Sequence, residues 1–261
     1  RVEYIDDDEA TILMVNSNIQ REHVLAPFWH LGFLAVPVTI IWIVGITNAV
    51  NLIDGLDGLA VGVSSIAAIT MLAVALLTDN MAIAITMAAL TGACIGFMPY
   101  NLNPAKIFMG DTGSTFLGYM LATVSIMGLF KFYAVISFAV PFLILGLPIF
   151  DTANAIIRRL AEGRSPMSPD RGHVHHKLID MGFNQKQAVA ILYAISATLG
   201  LTAVVLTSSG EVKAVVLLAA VLAAILVGAC IIYGAEHWGK HPKEQKKHKN
   251  DAAQEEKNKH E

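Results

Sequence analysis

Long apolar runs alternate with short polar junctions along this chain, and the runs dominate the pattern. A helix needs ~20 predominantly apolar residues to cross the hydrocarbon core of a bilayer. About seven segments approach that length, near 31–49, 58–78, 81–99, 113–130, 133–157, 186–207 and 212–233. The expected fold is all-α, a polytopic integral membrane protein. Thr78-Asp79-Asn80 offers turn chemistry for a tight connection between the second and third segments. Pro141 and Pro148 predict a kink within the fifth. Gly92, Gly96, Gly118, Gly128 and Gly146 suit close helix packing in lipid. No internal repeat is visible.

Composition sharpens this picture. Of 261 residues, 55% are hydrophobic and 15% charged, where a soluble domain carries about a quarter charged. The deficit falls in the apolar runs, which argues for membrane spans over one large aqueous core. Cys94 and Cys230 both sit inside such runs and read as packing residues, not as a disulfide framework or thiol site. Residues 1–30 are polar and acidic, with Asp6-Asp7-Asp8-Glu9 together, and are expected to form an external segment. Residues 31–233 are the expected transmembrane catalytic domain. Residues 234–261 are the expected charged cytoplasmic tail, solvated and disordered; its basic cluster at Lys243–Lys249 could touch anionic lipid, although a solubilising tail is the preferred reading. A chain opening on Arg1, with no Met and no signal peptide, is expected to be a piece of something longer.

Charge fixes the expected orientation. With seven spans, the loops at 50–57, 100–112 and 158–185 and the tail share one side. That side holds all of the 18 Lys and Arg residues except Arg1, Arg21, Lys131 and Lys213. By the positive-inside rule this face is cytoplasmic.

Three polar constellations lie on that face. The first is Asn48-Ala-Val-Asn51-Leu-Ile-Asp54-Gly-Leu-Asp57. Helical spacing puts Asn48 with Asn51, Asn51 with Asp54, and Asp54 with Asp57 on shared faces. The row of hard oxygens suits Mg²⁺ and the polar edge of a nucleotide. Capping of the next helix would account for one Asp, but not for two Asp and two Asn embedded in apolar sequence.

The second runs from Pro99 through Asn101, Lys106, Phe108 and Asp111 to Ser114. Asp111, Thr112 and Ser114 could simply start a helix. Equally, a helix N-terminus with Gly110 and Gly113 presents backbone N–H groups to a phosphate, Phe108 can stack on a base, and Lys106 adds a cation.

The third is Arg171-Gly-His173-Val-His175-His176-Lys177, preceded by Arg158, Arg159 and Arg164. Three His so close together could suggest zinc, but the flanking cations disfavour a metal and favour an anion such as diphosphate. Asp151 stands near the cytoplasmic end of the fifth segment, either as a functional acid or as a structural partner of Arg158 or Arg159.

Asn48–Leu59 (NAVNLIDGLDGL), Asn101–Gly118 (NLNPAKIFMGDTGSTFLG) and Arg171–Lys177 (RGHVHHK) resemble the polyprenyl-phosphate N-acetylhexosamine-1-phosphate transferases. The interrupted His-Val-His-His resembles the undecaprenyl-phosphate GlcNAc-1-phosphate branch. The resemblance implies a multi-pass enzyme of the bacterial plasma membrane with a cytoplasmic active site. It would transfer a sugar 1-phosphate from a UDP-N-acetylhexosamine to undecaprenyl phosphate, releasing UMP. That reaction is Mg²⁺-dependent and opens a cell-wall polymer pathway of teichoic-acid or O-antigen type.

Carried onto this chain, the resemblance makes Asp111 the main Mg²⁺ ligand, with Asn51 a second oxygen ligand. Asp54, Asp57 and Asp111 become the catalytic set. Asn48, Asn51, Lys106 and Arg171 join the substrate-binding residues, Asn101 and Phe108 meet the nucleoside, and His173, His175 and His176 bind the diphosphate. Membrane lipid and a homodimer are among the expected partners; nucleic acid is not.

The resemblance also implies a paired-Asp motif and a substrate-binding Lys on an earlier cytoplasmic loop. Asp6-Asp7-Asp8 is not that motif, so these 261 residues alone are expected to be inactive. Other readings are a phospho-MurNAc-pentapeptide transferase, a secondary transporter, whose acids would lie near the bilayer midplane, and a non-catalytic scaffold.

Overall fold

A computed structural model describes residues 2–4, 12–14, 32–128, 134–165, 168 and 172–208, all within the unit Arg1–Gly210. Arg171, the seventh apolar segment and the basic tail lie outside the described residues.

Among the described residues the apolar runs become helices, several of them bounded by a recognisable local cause. Helix α1, Ala35–Leu52, carries Pro37 in its first turn, where a missing N–H costs nothing. Helix α2, Leu59–Leu77, starts after Gly58, whose φ of 81° is left-handed and suited to glycine. Neither Asp54 nor Asp57 caps α2, since its N-cap is Gly58 without a side-chain bond; the capping explanation of those carboxylates therefore falls away. Helix α3, Met81–Asn101, follows the expected tight junction: Asp79 sits at φ 53°, and Asn80 caps the helix by accepting the Ile83 N–H at 3.4 Å. Helix α4 is Gly110–Gly128.

The fifth apolar segment is two helices, α5 (Ala134–Ile144) and α6 (Gly146–Ala161), parted at Leu145. Pro148 stands in the first turn of α6, where it needs no donor, so the expected kink takes the form of a break. A short helix α7, Val174–Asp180, and the long α8, Gln185–Ser208, follow.

Among the described residues, four helices are long and apolar enough to cross a membrane: α1, α2, α3 and α8. Helix α4 has the length, but its first turns hold Asp111, Thr112, Ser114 and Thr115. Six of the seven expected spans fall among the described residues, and they resolve into four plain ones, one with a polar entry and one broken pair. Within residues 1–30, Val2–Tyr4 and Ile12–Met14 pair as antiparallel strands β1 and β2, with Glu3 opposite Leu13.

The most buried of the four spans is α2, and α3 and α8 pack along it. Helix α1 pairs with α4, and α5 lies against α8. Because lipid tails are as apolar as Leu, such crossings rely on close backbone approach and on hydrogen bonds between helices. Both occur between α1 and α4. Trp42 Nε1 donates to Ser125 Oγ at 2.9 Å. A Cβ on Gly118 would lie 2.7 Å from Thr47 Cα and 3.0 Å from its carbonyl oxygen.

This contact gives a clear expectation. Gly118→Ala must separate the α1 and α4 backbones, an overpacking cost of about 1–3 kcal/mol, against ~1 kcal/mol of improved helix propensity. Thermal unfolding in detergent should show a net loss. Gly92→Ala, where no atom lies within 4 Å, should be neutral or stabilising. Equal melting of the two variants would contradict the close crossing.

Candidate functional site

The α1–α4 crossing brings the end of the first constellation onto the start of the second. Asn51, on the last turn of α1, donates from Nδ2 to Asp111 Oδ1 at 3.2 Å and to Ser114 Oγ at 2.8 Å. Ser114 accepts, because its own hydroxyl donates back to the Gly110 carbonyl at 3.1 Å. Asn51 therefore meets Asp111 through its amide nitrogen and orients that carboxylate. The oxygen expected to ligate a metal is the other end of the same amide. Asn48, three residues earlier, is exposed and donates to Val44 O of its own helix at 2.7 Å.

The two aspartates of the first constellation part company. Asp57 Oδ2 accepts from Asn103 Nδ2 at 3.0 Å and from the Ala105 N–H at 3.1 Å. Asn103 also donates to Gln185 Oε1 at 2.9 Å, which ties the loop to the first residue of α8. Asp57 is thus a clamp on the 102–107 loop. Among the described residues no comparable hydrogen bond holds Asp54. Burial raises its pKa above the ordinary 3.8, and the nearby charges of Asp111 and Asp57 push the same way. Such a gathering of carboxylates disfavours itself unless a cation or proton joins it.

Asn101, expected at the nucleoside, is 3% exposed. Its Oδ1 accepts the Gly58 N–H at 3.2 Å, and its Nδ2 donates to Ile107 O at 2.9 Å. Both ends of the amide are occupied by backbone, so Asn101 shapes the loop instead of presenting a free group. The Gly58 carbonyl in turn accepts the Tyr193 hydroxyl of α8. What the loop offers outward is Lys106, exposed, and Phe108, 76% exposed.

The third constellation folds as α7 and lies against the first. Val174 and Leu178 pack on a core that includes Ile53, Leu59 and Leu147. A Cβ on Gly55 would collide with His175 Nε2, so Gly55 is the residue that lets the imidazole reach the Asp54 turn. His175 is buried, and among the described residues its Nε2 has no hydrogen-bond partner. His173 is also buried, whereas His176 is partly open. Rings 173 and 175 stack with centroids 5.8 Å apart, and rings 175 and 176 tilt at 4.2 Å. Asp151 of α6, left open between two roles by the sequence, holds the start of this helix: Oδ2 lies 2.8 Å from His173 Nδ1, and Oδ1 accepts the Val174 N–H at 2.8 Å.

Burial pushes the His175 imidazole down to about 4; the His176 ring adds to this and Asp151 opposes it. At neutral pH His175 is thus a neutral hydrogen-bonding group, not a cation for phosphate. The unfolded value is ~6.5, so between about 6.5 and about 4 the unfolded chain binds a proton that the folded chain refuses. Stability therefore falls as pH drops through that window, by up to ~1.4 kcal/mol per unit, and levels off below it. His175→Gln should flatten this part of a melting-temperature profile. An unchanged slope would remove His175 from the account.

Among the described residues, no three His, Cys, Asp or Glu side chains form a ready metal cage. Mg²⁺ asks only for one or two carboxylates, the rest of its shell being phosphate and water. The Asp111 and Asp54 oxygens are hard donors of the right kind.

Comparison with known proteins gives a consistent set of relatives. Residues 9–129 match glycosyl transferase family 4, a range that holds the first two constellations and ends before the third. A "probable undecaprenyl-phosphate N-acetylglucosaminyl 1-phosphate transferase" of Bacillus subtilis (strain 168) is 41% identical over 213 residues, 80% of this chain and 60% of the relative. A decaprenyl-phosphate N-acetylglucosaminephosphotransferase of Mycolicibacterium smegmatis is 39% identical over 181 residues, covering 61% of this chain and 44% of the relative. A phospho-N-acetylmuramoyl-pentapeptide-transferase of Clostridium beijerinckii is 35% identical over 175 residues, 65% of this chain and 50% of the relative. The chain thus spans about half the length of these curated relatives.

Proposed function

Residues 9–129 of this membrane protein match glycosyl transferase family 4, and from that match we propose that the complete polypeptide transfers GlcNAc 1-phosphate from UDP-GlcNAc to undecaprenyl phosphate, releasing UMP. The observation that carries this reading is the meeting of three sequence-distant constellations: Asn51 on Asp111 at 3.2 Å, and Gly55 against His175 beside Asp54. The product would enter a cell-wall polymer of teichoic-acid or O-antigen type, and the site would face the cytoplasm.

In this reaction an oxygen of the lipid phosphate forms a bond to the sugar-linked phosphorus of the nucleotide. The bond from that phosphorus to the bridging diphosphate oxygen breaks, and UMP leaves with that oxygen. Both partners are anions, so catalysis rests on positioning and charge neutralisation. Asp111 and Asp54 would hold Mg²⁺, which supplies Lewis-acid neutralisation of the diphosphate when bound. Asn51 keeps the Asp111 carboxylate aimed. Asp57 and Asn101 hold the loop from which Lys106 and Phe108 reach a phosphate and a base. The His helix supplies hydrogen bonds to the diphosphate, from His176 at its partly open side. Arg171 lies outside the described residues.

Mg²⁺-dependent UMP release by the complete polypeptide tests the reading, with UDP-GlcNAc and UDP-MurNAc-pentapeptide compared. Preference for UDP-GlcNAc is expected. Preference for the pentapeptide nucleotide would establish the second reading, which the Clostridium beijerinckii relative favours. No UMP from either would end the transferase assignment. The 261 residues alone are expected to be inactive, since the earlier paired-Asp loop that the resemblance implies is not among them.

A further inference from the structure

Helix α7 has seven residues, too few to be stable by its own hydrogen bonds. Its N-cap residue, His173, makes no side-chain cap bond. The missing acceptor comes from 23 residues upstream, where Asp151 Oδ1 takes the Val174 N–H at 2.8 Å. The other oxygen of the same carboxylate lies 2.8 Å from His173 Nδ1. Asp151 and His173 are 3% and 5% exposed, so water does not compete for either bond. We propose that Asp151 is a positioning residue for the histidine helix: it caps α7 from α6 and holds His173 with the proton on Nδ1, so that Nε2 is the nitrogen offered to the site. This deepens the transferase reading and rests on it only for its catalytic consequence.

The chemistry of the two bonds makes the assignment specific. A carboxylate only accepts, so the imidazole nitrogen facing it must bear a proton, whether the ring is neutral or charged. In the neutral ring that leaves Nε2 as an acceptor. The orientation is passed along the helix: the His173 ring stacks on His175 at an interplanar angle of 11°, and His175 lies against Gly55 at the Asp54 turn. One buried carboxylate on α6 thereby sets the arrangement of imidazoles beside the acidic cluster.

Asp151→Asn separates the two jobs. The Val174 N–H can only donate, so the amide oxygen must stay on it. The amide NH₂ then faces His173 Nδ1, which can accept only if the ring switches to its Nε2–H tautomer. The variant keeps the cap and inverts the tautomer.

The test uses the complete polypeptide in lipid nanodiscs with ¹⁵N-labelled histidine, the His173 signals being assigned with His173→Gln. Wild type should show a pyrrole-type Nδ1 and pyridine-type Nε2 for neutral His173, and Asp151→Asn should exchange them. In the UDP-GlcNAc assay the variant should lose about 10–100-fold in kcat, the usual effect of removing a partner that orients a histidine, with KM changed far less. A pyridine-type Nδ1 in the wild type overturns the proposal even if the variant does not fold. So does an unaltered tautomer in Asp151→Asn, or an exchanged one with wild-type turnover. If wild type releases no UMP, the transferase reading fails and the ¹⁵N signals still decide what Asp151 does to His173.

Discussion

Asp111→Asn in the complete polypeptide is expected to abolish Mg²⁺-dependent UMP release while leaving the fold in place. The substitution is close to isosteric, and an amide oxygen can still accept from Asn51 Nδ2, so the bonds joining α1 to α4 need not break. What disappears is a full negative charge at an exposed point on the first turn of α4. On the proposed reading that charge would help to hold Mg²⁺ at the site. Losing a preorganised electrostatic contact of this kind costs ~10²–10³-fold in rate, and a lost metal ligand should cost at least that much. UMP release at saturating Mg²⁺ reads the effect. A second, activity-independent readout is the rise in melting temperature on adding Mg²⁺, which binding linkage requires of the wild type and which the variant should lose. Near-normal turnover, or an intact Mg²⁺ shift, would sink the assignment of Asp111.

Much of this arrangement was legible from the residues. Apolar run length located the helices, and Asp79-Asn80 and Pro148 marked the turn and the break, because those signals are local. The convergence of the first two constellations was legible only as a shared side of the membrane. That Asn51 contacts both Asp111 and Ser114 depends on Gly118 allowing two backbones to touch, a pairing with no local signature.

The roles within the acidic turn were not legible. Periodicity treats Asp54 and Asp57 alike, yet Asp57 is clamped by Asn103 and Ala105 while Asp54 is disfavoured as an anion by burial and then by its neighbours' charges. Gln185 and Tyr193 were missed because nothing in α8 marks which of its residues reach the 102–107 loop or Gly58. For Gly55 the signal was present, a glycine between an acid and an apolar residue in a short turn, but its cause lies 120 residues away at His175.

The contrast between Asp54 and Asp57 yields an expectation with opposite signs. Asp54→Asn should raise the melting temperature in Mg²⁺-free buffer at neutral pH and, at the same time, lower UMP release by about 100-fold or more. The folded carboxyl has a raised pKa, first from burial and then from the charges of Asp111 and Asp57. The folded protein therefore binds this proton more tightly than the unfolded chain does, and stability is lost as pH rises from the unfolded value of 3.8 through the raised folded one. At neutral pH that whole cost is carried, and the amide removes it. Added Mg²⁺ should narrow the gap, since a bound cation relieves the same repulsion in the wild type.

Asp57→Ala should behave the other way. It strips the acceptor from the Asn103 amide and the Ala105 N–H, and leaving such donors unpaired costs about 1–3 kcal/mol. Its melting temperature should fall whether Mg²⁺ is present or not. A destabilised Asp54→Asn protein, or one that still turns over, would mean that Asp54 is held by contacts other than these. The two carboxylates, three residues apart, would then share one structural role.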